Sequence, residues 1–353
     1  MSRETNTERA IGWFREPDPK NLYQASNTLT RKTFGPSVYV RGLVEFSNYC
    51  AANCLYCGIR RSNHRVNRYR IEPDVILKII QKGIDAGLKT FVLQGGEDPW
   101  FTTPVLASLC EKIKSRAVDK VAITLSVGMR TKADYRTLKE AGADRFLMRF
   151  ETSDPALHKK LRDGISLEKR LRALRDLREA GYELGSGFMT GLPGETEEIR
   201  IQNALLCQEL ELDMVGIGPF IPHHETPLAS SPQESLEHTL RTMALVRLLL
   251  PKANLPATTA AGSLDPKGRE KMMAIGANVL MPNITPEEVK KDYLLYPNKI
   301  CLDESGFECI GCLDARTHIV DKELNFDKGD SPSYRDRIRN DNAALKVLGS
   351  YSG

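Results

Sequence analysis

The sequence predicts an α/β fold: a complete (β/α)8 barrel of the TIM type, preceded by an N-terminal arm and followed by a C-terminal tail that contains cysteines. Three observations carry this expectation. Short β-branched runs alternate with longer amphipathic segments from about residue 38 to about residue 282, and the alternation yields eight strand segments. Helical segments that close in Ala-Gly, at 86–87, 141–142 and 180–181, carry the glycine stop that precedes a new strand. Eight strand–helix units joined by right-handed crossovers close into a barrel whose chemistry lies at the C-terminal ends of the strands, so candidate residues should fall just after strands.

Residues 38–46 read as the first strand, and the helix over 72–86 gathers Val75, Ile76, Ile79, Ile80 and Ile84 on one face. Strand 90–94 leads to a helix around 103–114, strand 122–126 to 132–141, and strand 145–150 to 166–180. Strand 183–189 is followed by 196–211, strand 214–219 by 235–250, strand 255–259 by 268–275, and 278–281 closes the series. Residues 1–37 form an arm with Trp13, Phe14, Leu22 and Tyr23 as anchors, and the barrel is expected over 38–283. The tail, 284–353, holds a second group of cysteines and becomes charged and Gly-rich beyond Asp321, with weak periodicity.

With 353 residues, 41% of them hydrophobic, the chain can bury a large core. Lys+Arg of 50 against Asp+Glu of 46 leaves +4, and no basic stripe interleaved with aromatics is present, so nucleic acid is not an expected partner; a locally positive pocket for an anion is compatible. The eight cysteines fall as two clusters of three and two singles, unlike the even framework of a secreted disulfide protein, which favours a reducing cytoplasm. The N-terminus, with Arg3, Glu4, Glu8 and Arg9, lacks the apolar core of a signal peptide, and the greasiest stretch, 243–250, is interrupted by Arg247, so no membrane span is expected.

Cys50, Cys54 and Cys57 follow the first strand with CxxxCxxC spacing. Three thiolates on one tight loop can hold three irons of a [4Fe-4S] cube and leave the fourth open to an exchangeable ligand. Zinc, with His64 as a fourth donor, and plain buried cysteines are the blander readings, although the spacing matches no standard zinc pattern. After the second strand comes Gly95-Gly96-Glu97, where paired glycines permit close backbone approach to a ligand or simply a tight turn. Strand four ends at Glu151 and the next helix contains Arg170, for which a surface salt bridge is the plain reading, since Lys169 and Arg172 flank the arginine. Ser126, Gly128 and Met189 also follow strands, although Met189 reads equally as core.

Tyr56, directly before the third cysteine, completes the pattern CxxxCxΦC with Φ aromatic. On these residues the segment resembles the radical S-adenosylmethionine (SAM) superfamily, without a departure from its signature. The resemblance implies a [4Fe-4S] cluster on Cys50, Cys54 and Cys57 that reductively cleaves SAM to methionine and a 5′-deoxyadenosyl radical. It implies that Gly95, Gly96 and Glu97 hold the methionine ammonium, that Glu151 and Arg170 pair with the methionine charges, and that Tyr56, Ser126, Gly128 and Met189 line the SAM pocket.

Further segments narrow the resemblance to the group that contains biotin synthase, methylornithine synthase and the radical SAM maturases of [FeFe]-hydrogenase: 45–48, 93–99, 191–194, 214–223, 255–259, 276–283 and 295–301. The similarity to the maturases is the most extensive and implies assembly of the hydrogenase di-iron subcluster; a paralogue acting on another small substrate, such as a methylornithine synthase-like mutase, is the alternative. Implied partners are a small anionic substrate bearing sulfur or iron, a one-electron reductant such as ferredoxin or flavodoxin, and other hydrogenase maturases. Thr258, Thr259, Arg269 and Tyr296 would meet the substrate; for the threonines β-propensity, for the arginine a solvated charge and for Tyr296 packing are competing readings. Cys301, Cys309 and Cys312 would carry an accessory, second Fe-S cluster, with zinc open as an alternative there. A non-catalytic iron–sulfur or zinc protein is the reading from a different class. Cys110 and Cys207, within amphipathic segments, read as small buried hydrophobes, and His223 and His224 as loop surface or cavity rim.

Overall fold

The computed structural model describes residues 5–117 and 120–350, the last nine of these by backbone alone. Nine strands are described: β1 (Ser37–Val40), β2 (Gly42–Ser47), β3 (Thr90–Gly95), β4 (Ala122–Ser126), β5 (Arg145–Leu147), β6 (Glu183–Thr190), β7 (Met214–Pro219), β8 (Val279–Leu280) and β9 (Glu323–Asn325). Strands β2 to β7 form a parallel six-stranded sheet in chain order, and β8-β1-β9 form a second parallel sheet. Only Arg41 separates β1 from β2, so the central strand of the second sheet runs on into the edge strand of the first. On the far side, single bridges join Met214 to Asn254 and Pro256 to Val279, and Val215 N–H donates to Asn254 O at 2.9 Å. The ring thus closes through bridges rather than a ladder.

That closure corrects one expected element. Residues 255–259 do not form a strand: Pro256 has no N–H for a ladder, and Thr258 caps a short helix, Thr259–Leu264, by accepting the Ala261 N–H at 3.3 Å. The fourth expected strand is also shorter than 145–150, ending at Leu147, with Glu151 bridged singly to Phe188. A further helix, Pro155–Leu161, which periodicity did not signal, is capped by Asp154.

Most helices outside the ring bury one face, whereas Leu236–Leu249, which also packs against the N-terminal helices, is buried nearly all round. Pro73–Asp85 turns Ile76, Leu77, Ile79 and Ile80 inward, whereas Val75, expected on that face, lies beyond the edge of the buried stripe and is exposed. Strand β2 is buried along its whole length, since one side faces the barrel interior and the other these helices. Gly87, Gly142 and Gly181 stop their helices with φ of +86°, +101° and +81°. The N-terminal arm is two helices, Asn6–Arg15 and Lys20–Phe34; Phe14 and Leu22 are buried, Trp13 and Tyr23 are partly so, and the Tyr23 hydroxyl donates to Glu237 at 2.7 Å. Among the described residues no helix is long and apolar enough to cross a membrane.

The tail contributes structure where its sequence shows little periodicity. Strand β9 extends the edge of β1, and residues 328–331 cross the N-terminal end of the barrel. There the buried Arg145 guanidinium pairs with Glu183 and Asp330 and donates to Lys328 O at 2.7 Å. Arg41 and Asn254 both donate to Gly329 O, at 3.2 and 2.8 Å, and Ser331 N–H donates to Glu183 Oε1 at 2.8 Å. Removing one member of such a buried ion pair leaves its partner's charge unpaired and desolvated. Glu183→Ala should therefore cost about 3–5 kcal/mol in urea unfolding; a loss below about 1 kcal/mol, the scale of an exposed pair, would show that the seal is not stabilising.

Candidate functional site

At the opposite end, above the C-terminal ends of the strands, the ring opens into a cavity of about 330 Å³, the size range of small-ligand sites. Its wall is built one loop at a time. The loop after β2 brings Cys50, Cys54, Tyr56 and Cys57; the last residue of β3 and the loop after it bring Gly95, Gly96 and Glu97; β4 and its following turn add Ser126 and Gly128. Glu151 stands after β5, Arg170 projects from the helix Leu167–Glu179, Met189 lies near the end of β6, and Thr258, Thr259 and Tyr296 complete the circuit.

The cysteine loop and the glycine turn share one rim and are bonded to each other. Cys50 Sγ accepts the Glu97 N–H at 3.3 Å, Ala51 N–H donates to Glu97 O at 2.9 Å, and Gly96 N–H donates to Ser47 O at 2.9 Å. This contact explains the glycines: a Cβ on Gly96 would meet Tyr49 O at 2.0 Å, and one on Gly128, at φ +77°, would meet the Glu97 Cγ at 2.2 Å. Arg68 clamps the cysteine loop from outside, donating to Asn48 O, to Ile59 O at 2.9 Å and to Arg60 O at 2.8 Å.

Burial pushes the Cys50, Cys54 and Cys57 thiols up, so as free side chains they hold their protons. A soft metal group that displaces those protons is what would make three such thiols anionic together. Among the described residues, sets of three candidate ligand atoms within 4.8 Å of one another occur at His223–His224–Glu225 and at Cys301–Glu304–Cys309, and the early cysteines are not such a set. Three sulfurs on one tetrahedral ion at about 2.3 Å would sit closer than that, so the early thiols as they stand do not converge on a single-zinc geometry. The imidazoles of His223 and His224 are stacked 4.5 Å apart, with interplanar angle 16°, so their in-plane lone pairs run side by side rather than converging.

Charge inside the cavity is concentrated on residues with incomplete bonding. Glu151 is nearly buried and holds φ at +69°, a left-handed conformation costly for a side chain other than glycine. Arg149 Nη2 lies 2.8 Å from Glu151 Oε2, but the angle is not that of a hydrogen bond, and both atoms remain without one. Arg170 is 2% exposed, unlike its exposed neighbours Lys169 and Arg172, which removes the surface salt-bridge reading for it; its Nη2 is 3.8 Å from Glu97 Oε1 and its Nε has no partner. Buried carboxylate and guanidinium groups with spare bonding capacity are what a zwitterionic ligand requires.

Several wall residues carried no local signal in the sequence. Arg162 lies in the basic run 158–162, which reads as a solvated face, yet its Nη1 donates to Cys54 Sγ at 2.9 Å and Tyr56 Oη at 3.3 Å, and its Nη2 to Glu97 Oε1 at 3.1 Å. Burial alone would lower its pKa; the adjacent Tyr56, Cys54 and Glu97 more than offset this and keep it charged. The tail supplies one wall through residues 293–299, where Lys299 Nζ pairs with Glu45 Oε1 at 2.6 Å and Asn283 Nδ2 donates to Glu45 Oε2 at 2.7 Å. Thr258 Oγ1, besides capping its helix, lies 3.8 Å from the Met272 sulfur. Arg269 stands behind the wall, its Nη2 3.5 Å from Thr259 Oγ1 and 3.7 Å from Cys301 Sγ. Cys301, at φ +62°, meets Cys309 and Glu304, while Cys312 is exposed one turn further along the helix Glu308–His318. Cys110 and Cys207 are fully buried in helices, as hydrophobes.

Residues 44–207 match the radical SAM superfamily. Over 308 residues the chain is 45% identical to the [FeFe] hydrogenase maturase subunit HydE of Thermotoga maritima, covering 87% of this chain and 88% of that protein. It is 29% identical over 277 residues to the 3-methylornithine synthase of Methanosarcina acetivorans, covering 78% and 77% respectively. Among solved structures, methylornithine synthase (PylB) aligns with a TM-score of 0.78 at 25% identity over 91% of this chain and 94% of that one. The maturase HydG from Carboxydothermus hydrogenoformans shares the fold, with a TM-score of 0.73 at 18% identity over 92% and 76%.

Behind the rim, Glu195 in the turn after β6 accepts the Gly191 N–H at 2.6 Å and faces Arg200 at 3.4 Å, with Oε1 unbonded. Burial pushes this carboxyl up to about 7 against both of those contacts. The folded chain therefore keeps a proton that the unfolded chain releases near pH 4.5, and stability falls as pH rises from there to about 7. Glu195→Gln, which cannot ionise, should remove that decline, on the order of 2 kcal/mol, in urea titrations at pH 5 and 7.5; an unchanged pH slope would contradict the assignment.

Proposed function

From the premise that this chain belongs to the radical SAM superfamily and is a radical SAM enzyme, we propose that it is a HydE-type maturase, acting on a small anionic substrate in assembly of the di-iron subcluster of [FeFe]-hydrogenase. One observation carries the reading: in a chain 45% identical to HydE, the three thiols, the glycine turn and the Glu151 and Arg170 pair open on a single barrel-mouth cavity.

In this reading Cys50, Cys54 and Cys57 hold a [4Fe-4S] cluster, which with bound SAM and one electron supplies a 5′-deoxyadenosyl radical. The protein's part is placement and exclusion of water. Backbone groups of Gly95 to Glu97 and the unbonded Glu151 oxygen take the methionine ammonium, Arg170 takes its carboxylate, and Tyr56, Ser126, Gly128 and Met189 bound the remainder. Burial strengthens each of these pairings, because the alternative partner, water, is kept out. Arg162 holds Cys54, Tyr56 and Glu97 in one arrangement and places a positive charge beside the sulfur. Thr258, Thr259, Tyr296 and, through Thr259, Arg269 form the substrate end, next to the buried Lys299–Glu45 pair. An accessory iron–sulfur site on Cys301, Cys309 and Cys312 belongs to the same proposal, supported by the contact between the first two.

Anaerobic reconstitution, dithionite and SAM should give 5′-deoxyadenosine with the wild type and at least about a hundredfold less with Cys54→Ala; no product from the cluster-loaded wild type would sink the catalytic reading. Hydrogenase activation in an extract lacking only this maturase then separates a HydE-type role from a paralogue, since a paralogue would cleave SAM and restore nothing. Arg162→Leu removes a donor from the Cys54 sulfur and should shift the cluster's midpoint potential to more negative values, read by EPR-monitored titration; an unchanged potential would show that Arg162 serves packing alone.

A further inference from the structure

We propose that the basic face of the cysteine loop, around Arg61 and Arg65, is the docking surface for a small acidic one-electron carrier protein. The inference rests on the radical SAM reading, in which each SAM cleaved consumes one electron. That electron leaves the carrier and enters the cluster held by Cys50, Cys54 and Cys57, with no bond made or broken and no proton moved.

Between Gly58 and Ile71 the sequence has five arginines and His64 but no aspartate or glutamate. Arg61, His64 and Arg65 are exposed. The stretch is stitched onto the cysteine loop: Arg61 N–H donates to Ala52 O at 2.9 Å, and Arg60 Nη2 to Asn53 O at 3.3 Å. These charges therefore stand on the backbone that carries the three thiols, where exposed Ala51 leaves the cover thin. From the neighbouring side, Leu55 N–H donates to Leu161 O at 2.9 Å, which brings the end of the helix Pro155–Leu161, with exposed Lys159 and Lys160, against the same loop.

Two acids oppose this patch without cancelling it. Asp163 lies 3.6 Å from Arg61 and Glu225 3.8 Å from Arg65, while the arginine side chains remain 62% and 81% exposed. Such long, solvated pairs leave the cations available to a partner. Tyr69 and Tyr56 turn inward, the first donating to Glu45 O at 2.7 Å and the second lining the cavity, and the ring of Tyr49 is covered by the Arg70 guanidinium 3.7 Å above it, so these rings offer no platform for a nucleobase. An acidic protein surface satisfies the patch by charge alone, and steering by opposite charges raises the encounter rate where the electron has the least protein to cross.

The test uses reconstituted enzyme, a low-potential acidic flavodoxin as probe, and dithionite as a small reductant that needs no docking. Arg61→Glu/Arg65→Glu should bind the flavodoxin about tenfold more weakly at low ionic strength, with the gap closing as salt is added, and should form 5′-deoxyadenosine correspondingly slowly with reduced flavodoxin. Its dithionite-driven reaction should match the wild type. Lys252→Glu, at the opposite end of the barrel beside Asp336, should bind like the wild type. Equal flavodoxin affinity for Arg61→Glu/Arg65→Glu and wild type overturns the proposal, as does an equal loss with Lys252→Glu, or a loss confined to binding of single-stranded RNA. If the double variant also loses the dithionite reaction, Lys159→Glu/Lys160→Glu decides by the same binding criterion. Failure of the wild type with dithionite would count against the radical SAM reading, and the affinities would still judge the docking face.

Discussion

The guanidinium of Arg162 ties together three groups from two loops of the barrel mouth: the sulfur of Cys54 and the hydroxyl of Tyr56 from the loop after β2, and the carboxylate of Glu97 from the loop after β3. Five donors in one rigid plane allow a single side chain to do this, which a lysine could not. Because Glu97 also faces Arg170 and passes its N–H to Cys50, the position of the thiols, the turn and the far wall are coupled. Displacement of any one would strand buried charge on the others, so the mouth behaves as one unit.

The two ends of the barrel solve opposite problems with the same kind of interaction. At the N-terminal end Arg145, Glu183 and Asp330 are satisfied by one another and by carbonyls of the tail, and the interior is sealed. Arg247, buried without a carboxylate, is likewise held by Pro251 O, Ala253 O, Gly276 O and Asn278 Oδ1, and burial lowers its pKa to about 9. At the C-terminal end Glu151, Arg149 and Arg170 retain unbonded polar atoms inside a cavity. A fold tolerates incomplete bonding in a buried place where a ligand completes it, and the strained Glu151 backbone lies at that place.

The electrostatics of the outer face differ from those within. Around the cavity, buried charges meet opposite ones, as with Lys299 against Glu45, and the low dielectric strengthens such pairs. On the cysteine loop the arginines split: Arg68 is spent on carbonyls that shape the loop, while Arg61 and Arg65 extend into solvent. One short basic stretch therefore both builds the site and gives it a charged exterior.

Much of this was legible in the chain alone, for reasons that differ by residue. The βα alternation and the glycine stops at Gly87, Gly142 and Gly181 are local consequences of backbone geometry, and the spacing of Cys50, Cys54 and Cys57 is set by one loop. Such features need no distant partner to be recognised. Glu151 and Arg170 could be named as a pair only through a family pattern, because the burial that distinguishes Arg170 from its neighbours comes from packing against other elements. The same limit hid Arg162, the pairing of Lys299 with Glu45 beside the expected Tyr296, and the seal at 328–331, and the expected seventh strand proved to be single bridges around Pro256. Short-range steric and covalent rules are written in adjacent residues; which charge meets which across the barrel depends on contacts between residues far apart in sequence, as with Glu45 and Lys299, and those exist only once the chain has closed on itself.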